Sequence, residues 1–464
     1  MLQSVESRCF SSEECHEVIE LDVISLSDPQ QPSLASNSST VEILESMDSI
    51  VISPIATKKA ISSKPTKILF LDGARGLAAM LVVIQHSQEF VPTLHLGSVG
   101  VDIFFVLSSF LLTMICMKLC LKLLSQGARH QTWAYTFADY FQKRFLRVYP
   151  LFFVTVIGLS LLNLNDQKRY FVKGGPPFDT VKTLTFSFKY RYHVFWSLPL
   201  EIAYYFVIPV FVLAVISMRC FWWIATLLLS VWIVNEGVFG DRQSHMPLRP
   251  HISTFLTGSV AAVVFVKMDT WIKKTEFVFR YWHIIPIRMI EGVAITMLFS
   301  VCFRGLLFHW VHANPAPPPS GFPYISAFLA IIIVIEMLLP SCVSTLLEWN
   351  FLRYCGKISF SIYLLHSFVL YNPALRTQTN YFDRLFSRLF IILAVCTATY
   401  YLVEYPSMLL AKRVSAFLAN AEKKATDGWS NLIIKENVVM HKRSCQRDDQ
   451  MARKVKELPS NTLS

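Results

Sequence analysis

The sequence predicts an all-α polytopic membrane protein, a bundle of about ten transmembrane helices. Three observations carry that reading. Of 464 residues, 53% are hydrophobic and only 16% are charged, against roughly 45–50% and about 25% in an ordinary soluble domain. The mean hydropathy is +0.44. The apolar residues also gather into runs close to the roughly 20 that a bilayer-spanning helix needs. This balance excludes disorder over most of the chain, which requires low hydrophobicity and high charge. It argues against a soluble enzyme of two or three domains.

In chain order, residues 1–66 are polar, and residues 1–50 hold ten acidic residues and one basic one, Arg8. No apolar stretch there can build a core, so this reads as a disordered acidic, Ser-rich tail. It lacks the basic and apolar regions of a signal peptide. The membrane domain spans 67–406. Its apolar runs cover approximately 70–91, 99–119, 146–164, 194–217, 221–239, 251–268, 287–308, 322–340, 357–373 and 385–405. Trp196, Trp222, Trp223, Trp310 and Trp349 fall near run ends, as an aromatic belt does. Residues 314–323 read as a polyproline turn. Residues 407–464 form a charged tail. Within it Leu410, Val414, Phe417 and Leu418 recur at helical spacing, which suits a short amphipathic helix on the membrane surface.

Charge sets the expected orientation. Lys and Arg number 43 against 32 Asp and Glu, for a net +11. A nucleic-acid protein would gather these on a soluble basic face, whereas here they fall mostly between apolar runs. Leaving aside Arg75 and assigning the rest to the nearest connection puts 30 on the side of the two tails and 12 on the other. Both tails are therefore expected in the cytoplasm, with the sequon at Asn37 unglycosylated and an endomembrane such as the endoplasmic reticulum, or the plasma membrane, as the location. The 165–193 connection runs against the trend with six basic residues. It is long enough to cap a site from the far side. The ten cysteines show no CxxC pair and no metal-ligand spacing. Cys116, Cys120, Cys220, Cys302 and Cys396 read as buried free thiols.

Ionisable residues inside membrane helices are costly and point to function. In the first run Arg75 and His86 are eleven residues apart, within roughly 20° of one another and about 16 Å apart along the helix. Asp72 falls within about 40° of the same stripe. An imidazole can take a proton from a hydroxyl near neutral pH; the other reading is a histidine hydrogen-bonded to a neighbouring helix. In the second run Asp102 and Ser109 share a face, and Ser108 and Ser109 allow close helix contact. Arg144 and Arg147 stand three apart at the cytoplasmic boundary. Two forked guanidiniums suit phosphates, and a topological anchor is the alternative. Ser197, Glu201 and Tyr205 follow at i,i+4. Glu201 is a lone carboxylate in a long apolar run and needs a partner, either a functional one or a structural arginine. Ser359, Tyr363 and His366 share a face of the ninth run, where packing is the competing reading.

Together these segments resemble the membrane acyltransferase-3 family of O-acyltransferases, and are similar to its fungal members. The resemblance covers roughly residues 67–406. It rests on five segments in order: Arg75 to His86, Phe104-Phe105 with Ser108, Arg144 with Arg147, Trp196-Ser197-Leu198 with Glu201, and Ile362-Tyr363-Leu364 with His366. Ser109 stands where the family often has glycine, and Tyr405 where arginine is common. The resemblance implies acyl transfer, typically of acetyl, from acyl-CoA to a hydroxyl of a small natural product, a sugar or a lipid. It implies His86 as the catalytic residue, supported by Arg75, Arg144, Arg147 and Glu201.

On this reading Arg144 and Arg147, with Arg75, hold the acyl-CoA phosphates from the cytoplasmic side. His86 acts as general base, oriented by Glu201, with Asp72, Asp102, Ser197, Tyr205, Tyr363 and His366 in support. An acyl-histidine intermediate stays open beside it. No metal is expected. The rival class is a proton-coupled transporter, against which the halves show no repeat and no paired broken helices.

Overall fold

A computed structural model of the chain describes residues 68–89, 94, 96–170, 176–239, 246–303, 306–307, 323–426 and 440. In hydrocarbon a helix satisfies its backbone N–H and C=O groups within itself, and the apolar runs are helical accordingly. They are α1 (Leu69–Ser87), α2 (Leu96–Ser125), α3 (His130–Ser160), α4 (Leu164–Tyr170), α5 (Thr180–Leu184), α6 (Ser197–Ser217), α7 (Trp222–Phe239), α8 (Leu248–Thr275), α9 (Tyr281–Cys302), α10 (Pro323–Leu338), α11 (Cys342–Leu347), α12 (Asn350–Lys357), α13 (Ser359–Leu370), α14 (Pro373–Arg376) and α15 (Tyr381–Thr399). Among the described residues there is no strand. The 1–66 tail, the 314–323 turn and the tail beyond Thr426, Met440 apart, lie outside the described residues.

Among the described residues six helices are long and apolar enough to cross a membrane: α1, α2, α6 with the turn that leads into it, α8, α9 and α15. The other four expected runs are helical but fall outside that set. α10 and α13 have 16 and 12 residues. α7 runs into undescribed residues after Phe239. α3 starts at His130, well before the expected residue 146, and so takes Lys143, Arg144 and Arg147 into its interior. Among the described residues all ten expected runs are thus helical, and six of them meet the length and composition of a span.

The expected surface helix after Pro406 is not a separate element. α15 passes through a π-turn at Tyr400–Glu404 and continues to Thr426, 46 residues in all. Proline lacks an N–H and crowds the carbonyl four residues back. A π-turn immediately before it releases that register and lets the helix run on. The continuation docks on α3, where the Ser415 hydroxyl donates to Asp139 at 2.5 Å and the Gln142 amide to the Ala411 carbonyl at 3.2 Å.

α2 is the central post, with α8, α6 and α10 packed around it. Small residues permit the approach: a Cβ on Gly258 of α8 would lie 2.1 Å from the Ser109 hydroxyl and 2.4 Å from the Val106 carbonyl. The Ser259 hydroxyl then ties three helices together, 2.8 Å from Thr113 and 2.7 Å from the Tyr204 hydroxyl. The outward faces of α6, α7 and α9 present Phe206, Val210, Leu227, Leu228, Met289 and Val293 to the surroundings. Apolar exposure on that scale marks a lipid-facing belt. Of the cysteines, Cys116, Cys120 and Cys396 are buried as expected, whereas Cys302 is half-buried and Cys220 exposed.

α1 is held by backbone contact. A Cβ on Gly73 would lie 1.6 Å from the Leu347 carbonyl, one on Gly76 2.0 Å from the Leu352 carbonyl, and one on Gly356 1.8 Å from the Asp72 carbonyl. α1 and α15 run antiparallel. Glu89, just past the end of α1, pairs with Arg384 and Arg388 near the start of α15. α3 in turn packs on the π-turn toward the other end. The chain therefore enters α1 and leaves the π-turn at the same end of the bundle. At the opposite end the described residues of the 165–193 connection add aromatic contacts: Phe186 stacks on Phe152, and Tyr170 lies 4.7 Å from Phe368, two residues from His366.

Gly76→Ala or Gly356→Ala should lower the thermal stability of the detergent-solubilised protein by about 1–3 kcal/mol or more, the cost of overpacking a tight contact. Gly292→Ala, whose Cβ would meet nothing within 4 Å, should leave it unchanged or raise it, since alanine favours helix. Unfolding temperatures of the three variants check this.

Candidate active site

α1, α2, α3, α6 and α13 enclose a pocket with a free volume of about 120 Å3. Its polar lining comprises Arg75, Ser108, Arg147, Ser197, Glu201, Tyr205, Ser359 and Tyr363, and its apolar lining includes Phe104, Phe105, Leu198 and Phe360. Helical spacing explains the convergence. Ser197, Glu201 and Tyr205 recur every four residues along α6, and Ser359 and Tyr363 do so along α13, so each set presents one face.

Glu201 is the hub of one wall. Its carboxylate accepts from the Ser108 hydroxyl at 2.5 Å and from the Tyr205 hydroxyl at 2.7 Å. Two donors make this half-buried carboxylate tolerable in an apolar bundle. Arg75 shares the pocket, and Arg147 stands exposed at its edge. Two guanidiniums against one carboxylate leave the pocket cationic. Deeper in, the Ser197 and Tyr363 hydroxyls meet at 2.7 Å, and Phe104 packs edge-on against Tyr363 at 5.8 Å.

His86 lies outside the lining of this pocket, three turns along α1 from Arg75. Its expected partner was Glu201; the structure gives it His366 instead. Nδ1 of His86 is 2.8 Å from Nε2 of His366. The ring centroids are 5.0 Å apart with planes 9° from parallel. With that short nitrogen–nitrogen distance, the rings meet edge to edge in nearly one plane.

The protons of this pair follow from their neighbours. Nδ1 of His366 lies 3.0 Å from the Ile362 carbonyl and 2.9 Å from the Tyr363 carbonyl. Carbonyls only accept, so this nitrogen carries the hydrogen. Nε2 of His366 is then the acceptor, and Nδ1 of His86 must donate to it. The neutral His86 imidazole is left with its basic lone pair on Nε2.

The other expected residues sort by position. Arg147 belongs to the pocket and Arg144 does not: its guanidinium lies over the Tyr140 ring at 4.6 Å and donates to the Tyr140 carbonyl at 3.4 Å. Asp72 and Asp102 lie outside the lining, Asp72 contributing the backbone carbonyl that faces Gly356. Asp102 is buried in α2. Sequence reasoning singled out Ser108 for packing and missed its bond to Glu201, although its spacing from the Phe104-Phe105 pair was a signal. It also missed Glu89, near the end of the first expected run, Arg384, just before the last, and Arg388, within it. Among the described residues no group of three His, Cys, Asp or Glu side chains is placed to hold a metal.

Comparison with known proteins gives this site its context. A relative described as protein 2 in the picA locus of Rhizobium radiobacter is 32% identical over 101 residues, 22% of this chain and 46% of that protein. The chain thus spans less than half the length of that relative. No solved structure matches it. The family model described as an acyltransferase domain matches residues 68–404, from the start of α1 to the last residue of the π-turn. The chain therefore belongs to this acyltransferase family.

Proposed function

We propose that the chain moves an acyl group from acyl-CoA to the hydroxyl of an acceptor, with Nε2 of His86 as general base. The observation that carries this reading is the relay from the Ile362 and Tyr363 carbonyls through His366 to His86, which places the lone pair on Nε2. An acceptor hydroxyl bonded there loses its proton to Nε2 as its oxygen attacks the thioester carbonyl. The C–O bond forms, the C–S bond breaks, and the departing CoA sulfur takes the proton back from His86. The His366 acceptor steadies the imidazolium in between, the part that a carboxylate plays in a hydrolase triad. Acylation of His86 itself is the competing route; acyl-enzyme trapped by quenching without acceptor would replace the general-base step.

Arg75 and Arg147 are the groups that suit the CoA phosphates, because forked guanidiniums match phosphate oxygens. Arg144 is left out of this role. The acyl arm then passes the Ser197–Tyr363 pair on its way to His86, and the acceptor arrives from the Glu89 end. The Lys/Arg asymmetry supports a cytoplasmic Arg147 end and cytoplasmic tails, on the side where acyl-CoA is found, with an endomembrane as the setting. Acetyl as the acyl group, and a natural product, sugar or lipid as acceptor, are what the family resemblance favours.

Purified protein supplied with acetyl-CoA and a panel of hydroxyl acceptors should release CoA thiol in an acceptor-dependent way; acceptor transport without CoA release would overturn the reading. His86→Ala should lower turnover about 10²–10⁴-fold while membrane insertion, read by fluorescence of a tagged protein, is kept. His366→Gln should lower kcat by about tenfold or more with little change in the donor KM, since it touches the base and leaves the cationic pocket alone. Arg147→Ala should raise the acyl-CoA KM by about tenfold or more, the loss of a charged hydrogen-bond partner, and Arg144→Ala should leave it near wild type. Equal effects of the two arginines in steady-state kinetics would favour a plain topological anchor.

A further inference from the structure

Beyond His86, at the end of the bundle away from Arg147, sits a buried cation that the proposed chemistry does not use. Glu89 accepts from Arg384 through both arms of the guanidinium, Nε at 2.6 Å and Nη2 at 2.7 Å. That bidentate fork matches one carboxylate to one guanidinium. Arg388 adds a third contact, from Nη1 to the same Glu89 oxygen at 2.7 Å, and a long one to the Ser87 carbonyl at 3.4 Å. Arg388 is only 4% exposed, and its Nε has no hydrogen-bond partner among the described residues. Among the described residues one carboxylate therefore serves two guanidiniums, and the pair carries an excess positive charge in a place where an uncompensated charge is expensive.

The location sharpens the point. Arg376, Arg384 and Arg388 fall on the side where the positive-inside trend disfavours basic residues, so topology gives no reason for them. Glu89 follows His86 by three residues, just past the end of α1, and Arg388 itself reaches the carbonyl of Ser87, the residue after His86. A group held by Arg388 would lie beside the last turn of α1, close to the imidazole.

We propose that Arg388, with Arg384 set against Glu89, forms a binding site for an oxyanion, a carboxylate or phosphate, carried by the hydroxyl acceptor. The anion completes the charge balance and accepts from Nε of Arg388, and the hydroxyl of the same molecule is presented to His86. That the bound molecule is the acceptor rests on the acyl-transfer reading; that an oxyanion binds at Arg388 does not.

The test is equilibrium binding to the purified full chain in phosphatidylcholine nanodiscs, with radiolabelled sn-glycerol 3-phosphate as probe and glycerol as its neutral twin. Wild type should bind the phosphate ester at least about tenfold more tightly than glycerol. Arg388→Gln should weaken that binding by about tenfold or more, the usual cost of truncating one partner of a buried charge pair. Arg388→Lys, which keeps the charge, should retain part of it. Including phosphatidic acid in the nanodisc separates the sources: displacement of the probe from wild type assigns the site to a lipid headgroup, and continued binding assigns it to a soluble acceptor. Equal affinity for the two probes in wild type would overturn the inference, and so would phosphate binding that both Arg388 variants leave untouched. Binding that depends on Arg388 without acyl transfer to the bound probe would leave the site standing and remove its assignment to the acceptor.

Discussion

The bundle depends on how closely α1 can approach the 347–356 segment. Gly73, Gly76 and Gly356 bring backbone against backbone, at distances where no Cβ fits. A contact of that kind fixes a helix in both rotation and height. Rotation decides which stripe of α1 faces the bundle; height decides where Arg75 and His86 stand along it. Because α1 carries Arg75 and His86 and leads directly to Glu89, one steric constraint sets the cationic pocket, the imidazole pair and the far arginines relative to one another.

The hydrocarbon setting explains the form of these regions. Water is scarce inside a membrane bundle, so each polar side chain there needs a partner from the protein. Glu201 takes two hydroxyls, Tyr363 takes Ser197, and His86 takes His366. Satisfying one need dictates the chemistry of the next. The Ile362 and Tyr363 carbonyls choose the tautomer of His366, and His366 chooses that of His86. A structural requirement for paired protons thereby becomes a reactive lone pair at a defined atom. Polarity along the bundle follows the same order, from the guanidiniums at one end, through hydroxyls, to imidazoles, and then to Glu89 with its arginines.

Much of this was legible in the sequence, for reasons that differ by residue. The Arg75–His86 stripe and the Ser197, Glu201, Tyr205 face follow from helical periodicity within one element, and the structure keeps both. Ser197 with Tyr363, and Glu201 with Ser108, needed knowledge of which helices are neighbours, which no single run encodes. The assignment of Glu201 to His86 failed on that point: a lone carboxylate needs a partner, but its sequence does not say which. Arg144 and Arg147 look equivalent as a pair in the sequence, and only the structure separates the one at the pocket from the one over Tyr140. Among the described residues only six of the ten expected runs have the length and composition of a span, because α3 is amphipathic and α10 and α13 are short, and an apolar run alone does not reveal where a helix starts. Likewise Pro406 signalled an end that the π-turn circumvents.

The claim on which this account turns is that neutral His86 carries its hydrogen on Nδ1 and its lone pair on Nε2. Nitrogen-15 NMR of the histidine-labelled protein at neutral pH reads this directly, with a His86→Gln sample to assign the signal. The account predicts an unprotonated Nε2 on His86 and an Nδ1 resonance shared with His366, both altered in His366→Gln. A hydrogen on Nε2 of neutral His86, insensitive to that substitution, would contradict it.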